Sequence, residues 1–115
     1  MDNPGDEIMK NKVYPAIVVK IIDELKIVIN KGSRDNIKLN QRFLVYHLEE
    51  EETIDPITKE SLGKLELVKG TGKVIYIQEK MSIIESDMIK STLIAFQTSL
   101  RPFYNPEVGD KAKPI

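Results

Sequence analysis

The sequence predicts an all-β single domain of about six short, mainly antiparallel strands, folded as a small barrel or sandwich. Three observations carry this. Its apolar runs are short and rich in Val and Ile, as in Val13–Ile22 and Lys73–Gln78. Gly, Asp and Asn punctuate them at short intervals, leaving no room for βαβ units. At 115 residues, with 41% hydrophobic and 30% charged, the chain has the size and composition of one globular core.

Residues 1–12 are polar with an early Pro4-Gly5 and read as a flexible tail; the domain spans 13–111, and 112–115 reads as a second tail. Val13–Ile22 is the first strand, with Pro15 near its start because proline cannot donate to a ladder. Asp23-Glu24 reads as a two-residue turn into Leu25–Asn30, where Leu25, Ile27 and Ile29 share a face. In the loop that follows, Gly32 and Asn36 are best suited to positive φ, and Ile37 and Leu39 anchor a crossing. Arg42–Glu49 is the next strand, apolar on both faces: Phe43, Val45 and His47 on one, Leu44, Tyr46 and Leu48 on the other.

Glu49–Glu52 leads into the decapeptide Ile54–Gly63, a turn stiffened at both ends. Asp55-Pro56 starts it, since proline presets its own φ and the Asp carboxylate can accept a nearby N–H. Leu62 and Gly63 read as re-entry into a strand, the glycine permitting a bulge. Lys64–Lys69 follows with Leu65 and Leu67 inward, then a break or bulge at Gly70-Thr71-Gly72, a strand over Lys73–Gln78 and another over Met81–Glu85. Beyond it, Ile89, Leu93, Phe96 and Leu100 stand at helical spacing with Ser86 and Asp87 as possible caps. The density of Ser, Thr and Phe favours extended structure with at most one helical turn. Val108-Gly109-Asp110 closes the domain as a turn.

Chemistry is sparse. Without cysteine there is no disulfide, thiolate ligand or cysteine nucleophile. His47 is the one histidine and, flanked by apolar residues, reads as structural. Glu49–Glu52 lacks the staggered ligands and bend glycine of a calcium loop and reads as solvated charge that deters edge pairing. Gly70-Thr71-Gly72-Lys73 lacks the spacing and the following helix of a phosphate loop. No catalytic, cofactor or metal residue is assigned. An enzyme would require, for instance, Glu66 and Glu85 close together in one pocket.

Charge is segregated along the chain, although the net charge is only −1. Lys10–Arg42 holds eight basic residues against three acidic, and Glu49–Glu66 holds seven acidic against two basic. This suits head-to-tail contacts between copies; with Tyr14 the basic half is also a candidate nucleic-acid surface, although the aromatics are few and not interleaved with the lysines. The acidic start is unlike a secretory signal and no apolar run is long enough to span a bilayer, so the chain as it stands is expected to be cytoplasmic, or envelope-associated if it is a piece of an exported protein.

The fragments Ile-Asn-Lys-Gly (29–32), Ile-Lys-Leu-Asn-Gln-Arg-Phe-Leu-Val-Tyr (37–46), Asp-Pro-Ile-Thr-Lys-Glu-Ser-Leu-Gly (55–63) and Gly-Lys-Val-Ile-Tyr-Ile-Gln-Glu-Lys-Met-Ser (72–82) resemble the C-terminal domain of flagellar assembly protein T. A similar Asp-Pro-x-Thr-Gly-Glu-x-Leu-Gly block with a late Gly-Asp occurs in barrel-like tails of LysM-containing envelope proteins. The resemblance covers about residues 13–88 and implies a small β-barrel with no catalytic site. Here Lys59 stands where the family usually has Gly, and Asn36 and Asn40-Gln41 stand where Gly and Gly-Asp are usual; residues 89–106 are longer than the pattern. Asp55, Pro56, Leu62 and Gly63 become its structural corner. Glu51, Glu52, Lys59 and Glu60, around the tip, become the candidate interaction loop. The function expected is a non-catalytic binding or assembly module for a protein partner, with a second copy as one possibility and nucleic acid as the alternative.

Overall fold

The structure is a computed structural model describing residues 15–90 and 99–115. It is a closed, six-stranded antiparallel barrel. The strands are β1 (Ala16–Asp23), β2 (Lys26–Ile29), β3 (Arg42–Ile54), β4 (Ser61–Ile77), β5 (Ser82–Ser86), β6 (Ile89–Lys90), β7 (Ser99–Leu100) and β8 (Lys111–Pro114). Around the barrel the order is β1-β2-β5-β4-β3-β8, and β6 and β7 form a separate two-stranded ribbon. The all-β barrel expected from the sequence is therefore present.

Alternation decides what lies inside. Ala16 and Val18, Ile27 and Ile29, Phe43 and Val45, Val74, Ile84 and Ala112 fill the interior from six strands, small and β-branched side chains that fit a narrow barrel. Two non-strand residues complete the core, Ile37 and Phe103. Their positions follow from the strand order. β2 lies across the barrel from β3, and β5 across from β8, so each connection must pass over an open end. The first crossing carries the 3₁₀ turn Ser33–Asp35 and drops Ile37 into one end; the second drops Phe103 into the other, and both are 3% exposed.

Close approach shapes both ends. A Cβ at Gly32 would lie 2.2 Å from the Gln78 carbonyl oxygen, so only glycine lets this crossing dock on the β4–β5 loop. At the other end a Cβ on Gly70 would meet the Met88 and Phe103 side chains. Gly70-Thr71-Gly72 is neither a phosphate loop nor a break: it pairs in step with Val45, Leu44 and Phe43 inside the continuous β4, and the bulge lies just before it, where Val45 pairs with Gly70 but Tyr46 with Val68 and Lys69 is the extra residue.

Several expectations are corrected. Lys111–Pro114 is no tail; it pairs with both β1 and β3 and closes the barrel. The first hairpin turns at Glu24-Leu25, one residue later than expected, because the Asp23 carboxylate accepts the Leu25 N–H at 2.8 Å. Of the two residues picked for positive φ in the loop, Asn36 has it (63°) and Gly32 is extended. Leu39 is exposed, leaving Ile37 as the anchor. Ser86 and Asp87 cap no helix: the Ser86 hydroxyl donates to the Arg101 carbonyl, while Asp87 accepts from Arg42 and Thr71. The only helical turn among the described residues is Ser33–Asp35, far in sequence from the C-terminal stretch. The tail at 1–12, and Leu93 and Phe96 in that stretch, lie outside the described residues.

Candidate functional site

The acidic run and the decapeptide belong to one feature, an antiparallel arm that projects beyond the barrel. β8 leaves β3 at Tyr46, and β5 pairs with β4 only from Gly72 onward, so past Leu48 and before Val68 the two strands have only each other. The six residues from Glu49 to Ile54 extend it about 20 Å at the rise of a strand. The expected strand end at Glu49 is thereby corrected: the glutamates are strand residues, and the pairing runs on through Glu52–Lys64 and Ile54–Ser61.

At the tip the Asp55 carboxylate accepts the N–H groups of Ile57 (2.8 Å) and Thr58 (3.2 Å). Those two bonds, chiefly that to Ile57, hold its carboxyl below the usual range. The Lys59 N–H donates to the Asp55 carbonyl and the Asp55 N–H to the Glu60 carbonyl, closing the loop. Lys59 sits at φ 64°, a left-handed backbone that glycine adopts without strain. Its ammonium folds back onto the Pro56 carbonyl at 2.8 Å. Gly63 lies at φ 88° beside the pairing irregularity between Glu52 and Ile54. Of the tip residues singled out in the sequence, Glu51 and Glu60 are exposed, and Glu52 accepts the Ser61 hydroxyl across the ribbon.

Sequence reasoning missed the apolar side chains on the arm. Leu65 and Leu67, expected to point inward, are 49% and 43% exposed; Ile54, Ile57, Leu62 and Val68 are exposed as well. Among the described residues no core lies beneath either face of the arm, so alternation cannot bury one side. The available signal was length: two β-compatible segments of 13 and 17 residues around one turn exceed what a small barrel needs. A two-stranded ribbon that exposes this much apolar surface is marginal on its own.

The arm is fixed at its root. On one face the Lys113 ammonium donates to Glu66 at 2.8 Å and lies 4.9 Å from the centre of the Tyr46 ring, and the Glu66 bond is the main cause that raises the Lys113 pKa. At the barrel mouth, Asp110 is 1% exposed and accepts from the Glu107 N–H (2.9 Å) and His47 Nδ1 (3.2 Å), with Lys69 Nζ 3.8 Å away. Lys69, itself buried, also donates to the Asn105 carbonyl at 2.7 Å. His47, Glu107 and Asp110 offer ligand atoms within 4.8 Å of one another, but the Lys69 ammonium already balances the buried carboxylate. The cluster ties β3, β4 and the turn before β8 together.

The carboxylates named for an enzyme stay apart. Glu66 is on the arm with Lys113, whereas Glu85 lies on β5 opposite Lys26 and Lys73. The seven steps along β4 from Glu66 to Lys73 separate them by about 23 Å. Of the basic half, Arg42 is engaged with Asp87 at 2.6 Å, and Lys10, Lys12 and Tyr14 lie outside the described residues. No described helix is long and apolar enough to cross a membrane.

No family model matches this chain, and no curated protein matches it.

Proposed function

We propose that this chain is a non-catalytic assembly module that holds a protein partner through the β3–β4 arm. The supporting observation is the exposure of Ile54, Ile57, Leu62, Leu65, Leu67 and Val68 on a ribbon with no core of its own. Covering such a surface is favourable at about 25 cal/mol per Å² of apolar area, and it would order a ribbon that water leaves marginal. Glu49–Glu52 line the free β3 edge and disfavour strand addition there, which leaves the faces of the ribbon for docking. The motif resemblance to the C-terminal domain of flagellar assembly protein T agrees with a module that works by shape and contact.

The test is a shortened arm. Replacing residues 50–64 by a two-residue Asn-Gly turn, together with Leu65→Ser, Leu67→Ser and Val68→Ser, preserves every barrel pairing and should leave a folded barrel, judged by circular dichroism and thermal unfolding. It should abolish stable association with the native partner, measured by co-purification from the source organism. An armless barrel that folds and keeps its full association would refute the reading. Nucleic-acid binding is separated by fluorescence anisotropy with single-stranded and duplex oligonucleotides at low salt, where a phosphate-dominated site must bind and then release as salt rises.

A further inference from the structure

The arm has two edges, and they differ. On the β3 side the pairing with β8 ends at Tyr46, so among the described residues nothing pairs with residues 49–54 from outside. On the β4 side β5 begins only at Gly72, and the Lys69 carbonyl accepts the Tyr104 N–H at 2.8 Å. Residues 62–68 are thereby left as an open ladder, with no strand alongside among the described residues. Unpaired backbone on a strand edge is a template for another strand.

Charge decides which edge can take a second copy. An antiparallel pair of identical strands is related by a two-fold axis, and the pleat requires opposed residues to share a face, so the axis passes through one residue. On the β3 edge any such axis within residues 49–52 sets glutamate against glutamate. The β4 edge, Leu62-Gly63-Lys64-Leu65-Glu66-Leu67-Val68, behaves differently. With the axis on Leu65, each Lys64 faces Glu66 of the other copy, Leu65 faces its twin, and Leu62 faces Val68. Leu67 then lies over Gly63, where even an added Cβ would touch nothing within 4 Å. An axis on Lys64 or on Glu66 opposes like charges instead. Lys64 already pairs with Glu52 across the arm, so the row Glu52, Lys64 and the other copy's Glu66 alternates in sign.

We infer that two copies of this chain join by their β4 edges, antiparallel about Leu65, into one four-stranded sheet. The contact is isologous and closes as a dimer. The two glutamate runs then lie on the outer edges, three strand spacings or about 14 Å apart, beyond the screening length of about 8 Å at physiological salt. Both faces of the sheet remain open, so the pairing stands independently of the docking proposed above and enlarges the apolar face offered to a partner.

The test exchanges the charges in full-length chains. Lys64→Glu leaves two carboxylates on the edge, and Glu66→Lys leaves two ammonium groups. Both positions are exposed, so each variant should keep the circular dichroism spectrum of the parent. Light scattering with mass determination at physiological salt should show the parent as a concentration-dependent dimer. Each variant alone should dimerise roughly tenfold more weakly or worse, and an equimolar mixture should return to the parent's affinity as a heterodimer. Net charge cannot produce that rescue, because both variant arms remain acidic overall. A strictly monomeric parent overturns the inference, and so does a mixture no tighter than its components.

Register is checked by single thiols, since the chain has no cysteine of its own. Leu65→Cys places its sulfur opposite its twin, with Cβ atoms about 5 Å apart. Thiols from Leu67→Cys would stand about 13 Å apart along the sheet, too far for a disulfide. Under mild oxidation, disulfide dimers should form at least about tenfold faster from position 65 than from position 67. Equal rates, or faster coupling at 67, overturn the pairing. A photo-crosslinker at position 65 that joins only to its own chain would show the edge already covered, and would overturn it as well.

Discussion

Substituting Asp110→Asn tests whether the buried cluster at the barrel mouth fastens arm and barrel together. The change keeps the side chain's shape but removes its charge. Lys69, 9% exposed, then retains the Asn105 carbonyl but loses the carboxylate 3.8 Å away. Breaking a buried pair by removing one partner costs about 3 kcal/mol, a large share of the roughly 6–17 kcal/mol expected for a domain of this length. With a urea slope of about 1.5 kcal/mol/M, the unfolding midpoint should fall by roughly 2 M. Lys69→Met should cost less, about 1–2 kcal/mol, because methionine fills the stem's space and Asp110 keeps the Glu107 N–H and His47. The double variant should be less destabilised than the two single costs added together, by at least about 1 kcal/mol. Equilibrium unfolding followed by circular dichroism measures all three. If Asp110→Asn shifts stability by less than about 0.5 kcal/mol, or if the two changes simply add, the cluster does not act as a unit and this account of the mouth is wrong.

Lys59→Gly should steady the arm's tip. A left-handed L-residue costs about 1 kcal/mol, of which glycine's extra unfolded entropy and the lost bond to the Pro56 carbonyl return about half. Hydrogen exchange of the Asp55 and Glu60 amides should slow about twofold; faster exchange would contradict the turn geometry. Acid should act through Asp87, whose carboxyl is pushed up by burial but pulled lower overall by its bonds to Arg42 and Thr71. A depressed folded pKa gives stability that is full above the unfolded value of about 3.9 and is lost as pH falls through the folded one. Asp87→Asn should therefore flatten the decline of the urea midpoint below about pH 4, and identical slopes in parent and variant would remove Asp87 from the acid response.

Local chemistry in the sequence was enough for the fold class, most strand positions, the Asp55-Pro56 corner, the irregularity at Gly63, and Ile37 as an anchor. Each depends on residues a few positions apart: a β-branched run, a ring that presets φ, a carboxylate two residues from the N–H it accepts. His47 read as structural because its strand neighbours are apolar; its partner Asp110 lies 63 residues away, beyond what local reading can find.

Longer-range pairing decided the rest. Glu49–Glu52 read as loop because a run of like charge disfavours a half-buried strand; it is strand because the register of β3 against β4 continues past the point where the barrel ends. The same continuation exposes Leu65 and Leu67, since alternation states which residues share a face but not whether anything covers that face. Residues 112–115 read as a tail because so short a stretch around a proline carries little strand signal of its own; Ala112–Pro114 are strand because β1 and β3 offer two open ladders that only a sixth strand can satisfy. Composition alone showed that acidic and basic segments were separated along the chain. Only the register of β3 against β4 decided that the acidic segment would stand out on one projecting arm.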